Sequence, residues 1–480
     1  MSNTFIGRKK ELDDLNSYLN KKTASLIVVK GRRRIGKSRL LDEFSKNKRS
    51  YKFIGLPPQS NRTKQDQLDE FSRQLSVVLD FPEIKVDNWS KLFILLNDKV
   101  KTEQVILIFD EISWMGSEDP DFLGKLKTAW DELFKKNPKL MLIFCGSVST
   151  WIDDNILNSK AFYGRISWIL DLEPLPLSDC NKFLKNQGFR GSNYEKFKIL
   201  SITGGIPWYL EQIQGDYSAD DNIKRQCFTK GAVLVDEFER IFHEIFGKRD
   251  KIYKKIVKVL ANGPCDYDEI VEKSKYKSSG RFSEYLTDLT KAGFISRDYT
   301  WSLKSGRESR TSKFRLRDNY LRFYLKYIDP RLNQINKGRY KDIALSSLSG
   351  WDSIMGLQFE NLALDNRSKI LKHLHIRAED IIADNPYLQR QTSTQKGCQI
   401  DYLIQTKYKN LYPCEVKFSR NLITSKVIEE SKTKIDRLSL PRNAAALPVL
   451  IHINGVSESV TGNDYFYKII DFAELLTDKS

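Results

Sequence analysis

The chain has 480 residues, of which 40% are hydrophobic and 29% charged. That length exceeds one hydrophobic core, so about two to four soluble domains are expected, and nothing in the composition marks a low-complexity or long disordered chain. Lys and Arg outnumber Asp and Glu by 79 to 62, a net charge of +17 that favours anionic partners, nucleic acid first among them.

Residues 1–10 hold no apolar stretch of signal-peptide length, and no run approaches the roughly 20 apolar residues that span a bilayer. A soluble, cytoplasmic protein without a membrane partner is expected. The apolar run 26–29 reads as a buried strand, and the apolar spacing over 38–44 reads as a helix. Between them lies Gly31-Arg32-Arg33-Arg34-Ile35-Gly36-Lys37-Ser38, a GxxxxGK loop closed by Ser. Strand, glycine loop and helix are the context in which backbone N–H groups wrap a polyphosphate at a helix N-terminus. The spacing therefore predicts a nucleoside triphosphate held by residues 31–39, Arg39 included. Lys37 reaches the β- and γ-phosphates, and the Ser38 hydroxyl is a ligand for Mg²⁺. Arg32, Arg33 and Arg34 have two readings, contact with phosphate or a partner and solvated tips.

Further strand candidates follow at 51–54, 105–109, 140–145 and 166–172, alternating with helical patterns, which predicts a parallel sheet flanked by helices. The run at 105–109 ends in Asp110-Glu111, carboxylates at the strand edge where ligands of open α/β sheets bind. Asp110 is expected to hold Mg²⁺ through water, and Glu111 to polarise the attacking water. The run at 140–145 leads to Ser147, a candidate for the γ-phosphate or the water, with Ser149 as the alternative. Arg165 precedes the last strand and has two readings, a positive charge for the transition state and an exposed arginine without a role. In the first case it acts within its own subunit or, in a homo-oligomer, between subunits.

Prolines at 174 and 176 end the alternation, and 178–239 is helical in pattern. Residues 249–326 read as three short helices at 252–260, 266–274 and 279–292, followed by two strands around a polar loop, which is a winged helix-turn-helix. Its wing is basic, with Lys304, Arg307, Arg310, Lys313, Arg315 and Arg317 against Glu308. Such a wing either contacts phosphates without reading sequence or serves as an internal packing module.

In the last part a helix at 351–366 carries Glu360, and the strand candidates 399–405 and 411–418 carry Asp401 and Glu415-Val416-Lys417, with a third strand at 448–454. A turn near 407–410 sets Asp401 beside Glu415, and alternation puts Glu415 and Lys417 on one face. Two carboxylates can hold Mg²⁺ while a lysine stabilises a nucleophilic water or phosphate charge. The competing reading is a surface hairpin with an ion pair. The six cysteines form no CxxC pair, and Cys145 and Cys414 fall in buried-looking strands, as in a reducing compartment. His373 and His375 alternate as on a strand, with a surface pair favoured over a metal site.

The motifs at 5–8, 31–38, 109–111, 163–165 and 204–207 resemble the archaeal-type ATPases of the STAND/AAA-like class. That resemblance implies ATP and Mg²⁺ as cofactors, Gly7 and Arg8 near the adenine, and Pro207 in a helical lid that senses the nucleotide. The C-terminal part is similar to the DUF234-type domain that often follows these ATPases, and its acids and lysine resemble the PD-(D/E)xK nuclease fold. The expected architecture is an α/β P-loop NTPase core of the ASCE type with a parallel sheet (1–177), a helical lid (178–248), a winged helix (249–327) and an α/β restriction-endonuclease-like domain (328–480). The implied activity is an ATP-hydrolysing switch whose last domain acts on nucleic acid through catalytic Glu360, Asp401, Glu415 and Lys417. The alternative is a regulatory ATPase whose last domain only mediates interactions.

Overall fold

Alternating apolar runs and amphipathic helices over the first 174 residues produce one parallel sheet. The structure, a computed structural model, describes residues 4–478 apart from 58, 60, 148, 149, 278, 341 and 394, so Ser149 lies outside the described residues. Its chain divides into two compact units, 1–174 and 175–480.

The first unit runs α1 (Lys9–Leu19), β1 (Ser25–Gly31), α2 (Lys37–Ser45), β2 (Ser50–Ile54), α3 (Lys64–Leu79), α4 (Trp89–Val100), β3 (Val105–Asp110), α5 (Ile112–Gly116), α6 (Phe122–Glu132), β4 (Leu140–Ser147), a single turn α7 (Thr150–Ile152) and β5 (Trp168–Leu172). The strand order is β2-β3-β4-β1-β5, and every pairing is parallel. β4 therefore separates β1, which leads into the glycine loop, from β3, which ends in the acids. β1, β3 and β4 are apolar almost throughout because helices cover both faces of a parallel sheet. One face packs on an aromatic cluster of Phe53, Phe71, Trp89, Phe93, Phe109 and Phe122. Each such ring, fully buried, contributes about 1.5–3 kcal/mol.

The second unit begins with helices α8 (Leu177–Asn186), α9 (Asn193–Thr203), α10 (Pro207–Leu210), α11 (Ala219–Cys227) and α12 (Val233–Phe246). Pro207 opens α10 at a position where its missing N–H costs nothing. Three helices follow, α13 (Asp250–Leu260), α14 (Tyr267–Ser274) and α15 (Gly280–Lys291), then the antiparallel hairpin β6 (Ile295–Trp301) and β7 (Glu308–Leu316). After α16 (Asn319–Phe323) and α17 (Leu332–Asn336), the long helix α18 (Trp351–Asp365) and α19 (Arg367–His373) precede a mixed sheet. Its strands are β8 (Ile381–Gln389), β9 (Cys398–Thr406), β10 (Asn410–Lys417), β11 (Ala445–Ala446), β12 (Val449–His452) and β13 (Lys468–Asp471), and α20 (Lys426–Arg437) follows β10. The order is β13-β12-β10-β9-β8, with β11 added to β10.

One expectation needs correction. His373 and His375 do not alternate on a strand: His373 ends α19, 3.5 Å from Glu474, and His375 sits just beyond it at φ 54°. Of the two readings of the basic hairpin, much of it follows the packing one. Trp301 and Leu303 pack into the core of the mixed sheet, and Trp301 Nε1 donates to Gln405 Oε1 at 2.6 Å. Arg315 is buried, donating to Asp298 at 2.9 Å and to Asn361 of α18, while Arg317 pairs with Asp365 at 2.7 Å. Inward-facing arginines held by carboxylates cannot meet a phosphate backbone. Lys304, Arg307 and Arg310 stay exposed.

All six cysteines are buried and free of disulfides, and no helix among the described residues is long and apolar enough to cross a membrane. Gly205 marks a close approach: its carbonyl accepts from Leu175 N at 2.8 Å, and a Cβ there would fall 2.2 Å from Leu175 O. Gly205→Ala should therefore cost about 1–3 kcal/mol by overpacking. Urea unfolding measures it, and wild-type stability in the variant would contradict the contact.

Candidate nucleotide site and a second acidic centre

The loop 31–38 turns sharply because two residues take left-handed backbone, Arg34 at φ 69° and Gly36 at φ 91°. Gly36 adopts it without steric cost, whereas the arginine is held there by its surroundings. Such a turn points successive N–H groups inward, the geometry of an anion-binding nest. Lys37, the first residue of α2, lies back over the loop, donating to Gly31 O at 3.0 Å, Arg32 O at 3.2 Å and Ser147 Oγ at 3.4 Å. Ser147, at the end of β4, thus stands beside the ammonium expected to meet the phosphates.

Ser38 Oγ donates to Asp110 Oδ2 at 2.9 Å. Burial alone would raise the Asp110 carboxyl, but Lys52, the Cys145 thiol and Ser38 outweigh it and hold it below its ordinary value. Lys52 is a residue that sequence reasoning missed. From β2 it reaches Asp110 Oδ2 at 3.2 Å and Asp42 Oδ1 at 3.0 Å, so its ammonium supplies positive charge where a divalent cation is expected. The available signal was a lone lysine in an otherwise apolar and aromatic strand. Burial raises the Glu111 carboxyl, with Lys37 pulling against it and Asp110 adding to it. Glu111 itself takes φ 50°, which turns the chain out of β3 into α5.

The remaining predicted residues are placed as follows. Arg8, preceded by Gly7 at φ 77°, is buried and donates to Ile35 O of the loop at 3.3 Å and to Glu173 O at 2.6 Å. Ile35 is buried, Arg32, Arg33 and Arg34 are half-buried, and Arg39 is exposed on α2. Pro207 belongs to the second unit. Arg165 needs correction as a transition-state charge within this chain. Its guanidinium forms a two-pronged bond with Asp131 of α6, both contacts at 2.9 Å, and Lys127 joins the same carboxylate at 3.0 Å. This cluster holds the Asp131 carboxyl well below the usual range. An arginine engaged in this way has no fork left for a phosphate.

The second centre lies wholly in the second unit. β9 and β10 pair antiparallel with Cys414 opposite Tyr402, which sets Glu415 alongside Asp401. Asp401 Oδ2 accepts from Val416 N at 2.9 Å. Glu360 of α18 borders the same cavity as Asp401. Lys417 is turned towards Glu430 at 2.6 Å, with Glu415 at 3.8 Å. Lys434 of α20, also missed from sequence, lies 2.5 Å from Glu415 and 3.7 Å from Asp401. Its ammonium occupies the space in which the two carboxylates were expected to share a cation, and among the described residues no three His, Cys, Asp or Glu side chains converge as a metal cage. Burial, then the Glu360 charge, raises Asp401 to about 6 against the pull of Lys434. Burial also raises Glu360, opposed by Arg322 and Arg315, and raises Glu415 together with Asp401. Two buried carboxyls against one lysine, with Glu360 acting on them electrostatically, is an arrangement that contributes little to stability.

Residues 5–213 match the profile described as an ATPase domain predominantly from Archaea. Over that stretch the chain is similar to an archaeal-type ATPase domain. The walker-type ATPase paby2304 of Pyrococcus abyssi shares its P-loop fold at TM-score 0.50 and 19% identity, over 67% of this chain and 96% of that one. Two proteins of Methanocaldococcus jannaschii are similar in sequence. The uncharacterized protein MJECL04 is 29% identical over 369 residues, 75% of this chain and 76% of its own length. The uncharacterized ATP-binding protein MJ1076 is 21% identical over 309 residues, 57% of this chain and 88% of its own.

Asp401 offers a test in chelator-treated protein. Its carboxyl rises from 3.8 unfolded to about 6 folded. Below the lower value both states are protonated and stability is unaffected. As pH climbs through the window the folded state must ionise a buried group, and above the upper value the cost is complete, about 3 kcal/mol. Asp401→Asn should therefore be more stable than the parent at pH 7.5, with the gain shrinking as pH falls from 6 towards 4. Denaturant titrations across that range read it, and a pH-independent difference would contradict the assignment.

Proposed function

We propose that the chain is an ATP-hydrolysing molecular switch whose first unit binds ATP with Mg²⁺ and whose last domain acts on nucleic-acid phosphodiesters. The observation that carries the first half is the 2.9 Å contact between Ser38 and Asp110 beside Lys37. Both are hard oxygen donors, they converge at the end of the loop, and a buried carboxylate kept ionised fits Mg²⁺. Bound there, the ion would neutralise charge on the β- and γ-phosphates. Lys37 would exchange its carbonyl partners for phosphate oxygens. Glu111, raised by burial and next to Asp110, would orient the attacking water and accept its proton. Ser147 is within reach of the same phosphates through Lys37. Pro207 and the helices around it are proposed as the lid that responds to the nucleotide. Arg165 acts only if it leaves Asp131, as it would in a homo-oligomer that recruits it across subunits.

For the last domain, the meeting of Asp401, Glu415 and Lys417 on paired strands, with Glu360 nearby, supports a PD-(D/E)xK-like module. The second reading, a regulatory ATPase with a non-catalytic interaction module, is favoured by Lys434 between the acids and Lys417 tied to Glu430.

Lys37→Ala should weaken ATP binding at least tenfold, whereas Glu111→Gln should bind ATP normally and lose turnover by about 10²-fold or more. Isothermal titration beside phosphate release reads both, and undiminished hydrolysis in Glu111→Gln removes it as the base. Incubation with plasmid or oligonucleotide, ATP and Mg²⁺ or Mn²⁺ separates the two readings. Cutting by the parent that vanishes in Asp401→Asn and Lys417→Ala supports the nuclease, and no cutting in any metal supports the interaction module.

A further inference from the structure

Two concavities of the second unit meet on the winged helix. One, of about 600 Å³, opens between the end of α13 and α14 and is lined by Lys255, Lys258, Lys273 and Lys275. The other, of about 40 Å³, is lined by Asp298, Lys313 and Arg315 of the hairpin and by Glu360 and Asp401. Pro264 lines both. Cys265, the next residue, pairs with Phe314 in a β-bridge, so the floor of the first concavity is joined to the strand that carries Lys313. Lys273 from the first and Lys313 from the second both act electrostatically on the Cys265 thiol.

The charge of the larger concavity is one-sided. No acid lines the larger concavity. Lys258 has Asp329 at 3.1 Å and Lys273 has Glu269 at 3.6 Å, but among the described residues no ion pair engages Lys255, Lys275 or Lys313. Five lysines gathered along one path repel one another, and a chain of phosphates relieves that repulsion by releasing its own counterions. The path also ends in chemistry, because Glu360 and Asp401 wait at its narrow end. Meanwhile the parts of a winged helix that would read a duplex are turned elsewhere. α15 lines neither concavity, and the hairpin that would enter a groove is packed through Trp301 and Leu303 into the mixed sheet. A space of about 40 Å³ is far too small to admit a duplex.

We infer that a single nucleic-acid strand lies in the α13–α14 lysine cleft and passes Pro264 into the cavity lined by Glu360 and Asp401, so that the winged helix delivers a strand instead of reading a duplex. The inference rests on the proposed phosphodiester chemistry of the last domain for what happens at the end of the path, but not for the binding itself.

Fluorescence anisotropy with a labelled single-stranded DNA of about 15 nucleotides, the same sequence as RNA, and the DNA duplex tests it on the full-length protein. The double variant Lys255→Glu/Lys275→Glu changes two exposed side chains, and unaltered ATP binding and thermal unfolding report that it folds. Single-strand affinity should fall at least tenfold, and the dependence of log K on log salt should flatten by about 1.4 or more, since each phosphate contact on a single strand contributes about 0.7. Lys313→Ala should weaken single-strand binding by several-fold, and Arg281→Glu on α15 should leave it unchanged. The inference is overturned if the parent binds no single strand, if it prefers the duplex, or if the lysine pair leaves affinity unaltered. It is equally overturned if Arg281→Glu, and not the lysine pair, abolishes binding. Tight strand binding without cleavage in any metal would sink the nuclease reading alone, while cleavage untouched by the lysine pair would sink the path alone.

Discussion

The contact between Ser38 and Asp110 depends on the strand that lies between their own and sets the Cys145 thiol beside the carboxylate. Because β4 lies between β1 and β3, the hydroxyl after the glycine loop and the carboxylate after β3 must reach across its end to meet at 2.9 Å. They can do so only because all five strands run parallel and finish at one edge. The apolar helices and the aromatic cluster beneath that sheet keep its strands in register, and register is what delivers two oxygens to one place. A buried carboxylate still has to be kept ionised. Lys52 does this from the neighbouring strand, and Asp42 holds Lys52 in turn. Fold and charge are therefore the same arrangement seen at two scales.

The second unit solves a different problem, which is how to keep several charges half-buried in one place. At the β9–β10 hairpin a lysine from α20 sits against two carboxyls and another lysine leans on Glu430. These pairs satisfy one another at the cost of a raised Asp401. Such a cluster is poorly suited to stabilising a fold, since apolar residues of the same volume would do it at least as well. It lies beside a cavity that Glu360 of α18 also borders, the placement on which the proposed site rests.

The parallel sheet of the first unit is readable from the chain because β1, β3 and β4 are nearly unbroken apolar runs that end in Gly31, Asp110 and Ser147. The mixed sheet is less so. β8 contains Asn385-Pro386, and proline in a strand argues against pairing; the structure accommodates it at an irregularity between Asn385 and Tyr387. Asp401 and Glu415 are recognisable because both lie on strands of predictable alternation, whereas Lys434 is one of many charges on an exposed helix. The wing illustrates a limit of patterning. Lys313 and Arg315 share one face of β7, and alternation reveals that face without revealing what covers it. Arg165 illustrates another, since its partner Asp131 lies 34 residues away on a different element.

Arg315 also constrains how a chain of this kind can be inherited. Its guanidinium is shared between Asp298 of the hairpin and Asn361 of α18, and Trp301 reaches Gln405 in β9. A recombination event joining the α13–β7 segment of one such protein to the following segment of another would strand a buried arginine and uncover a tryptophan. The two segments can be exchanged only together. Lineages that reshuffle their parts should therefore carry breakpoints near residue 174, where the compact units divide, and not near 327.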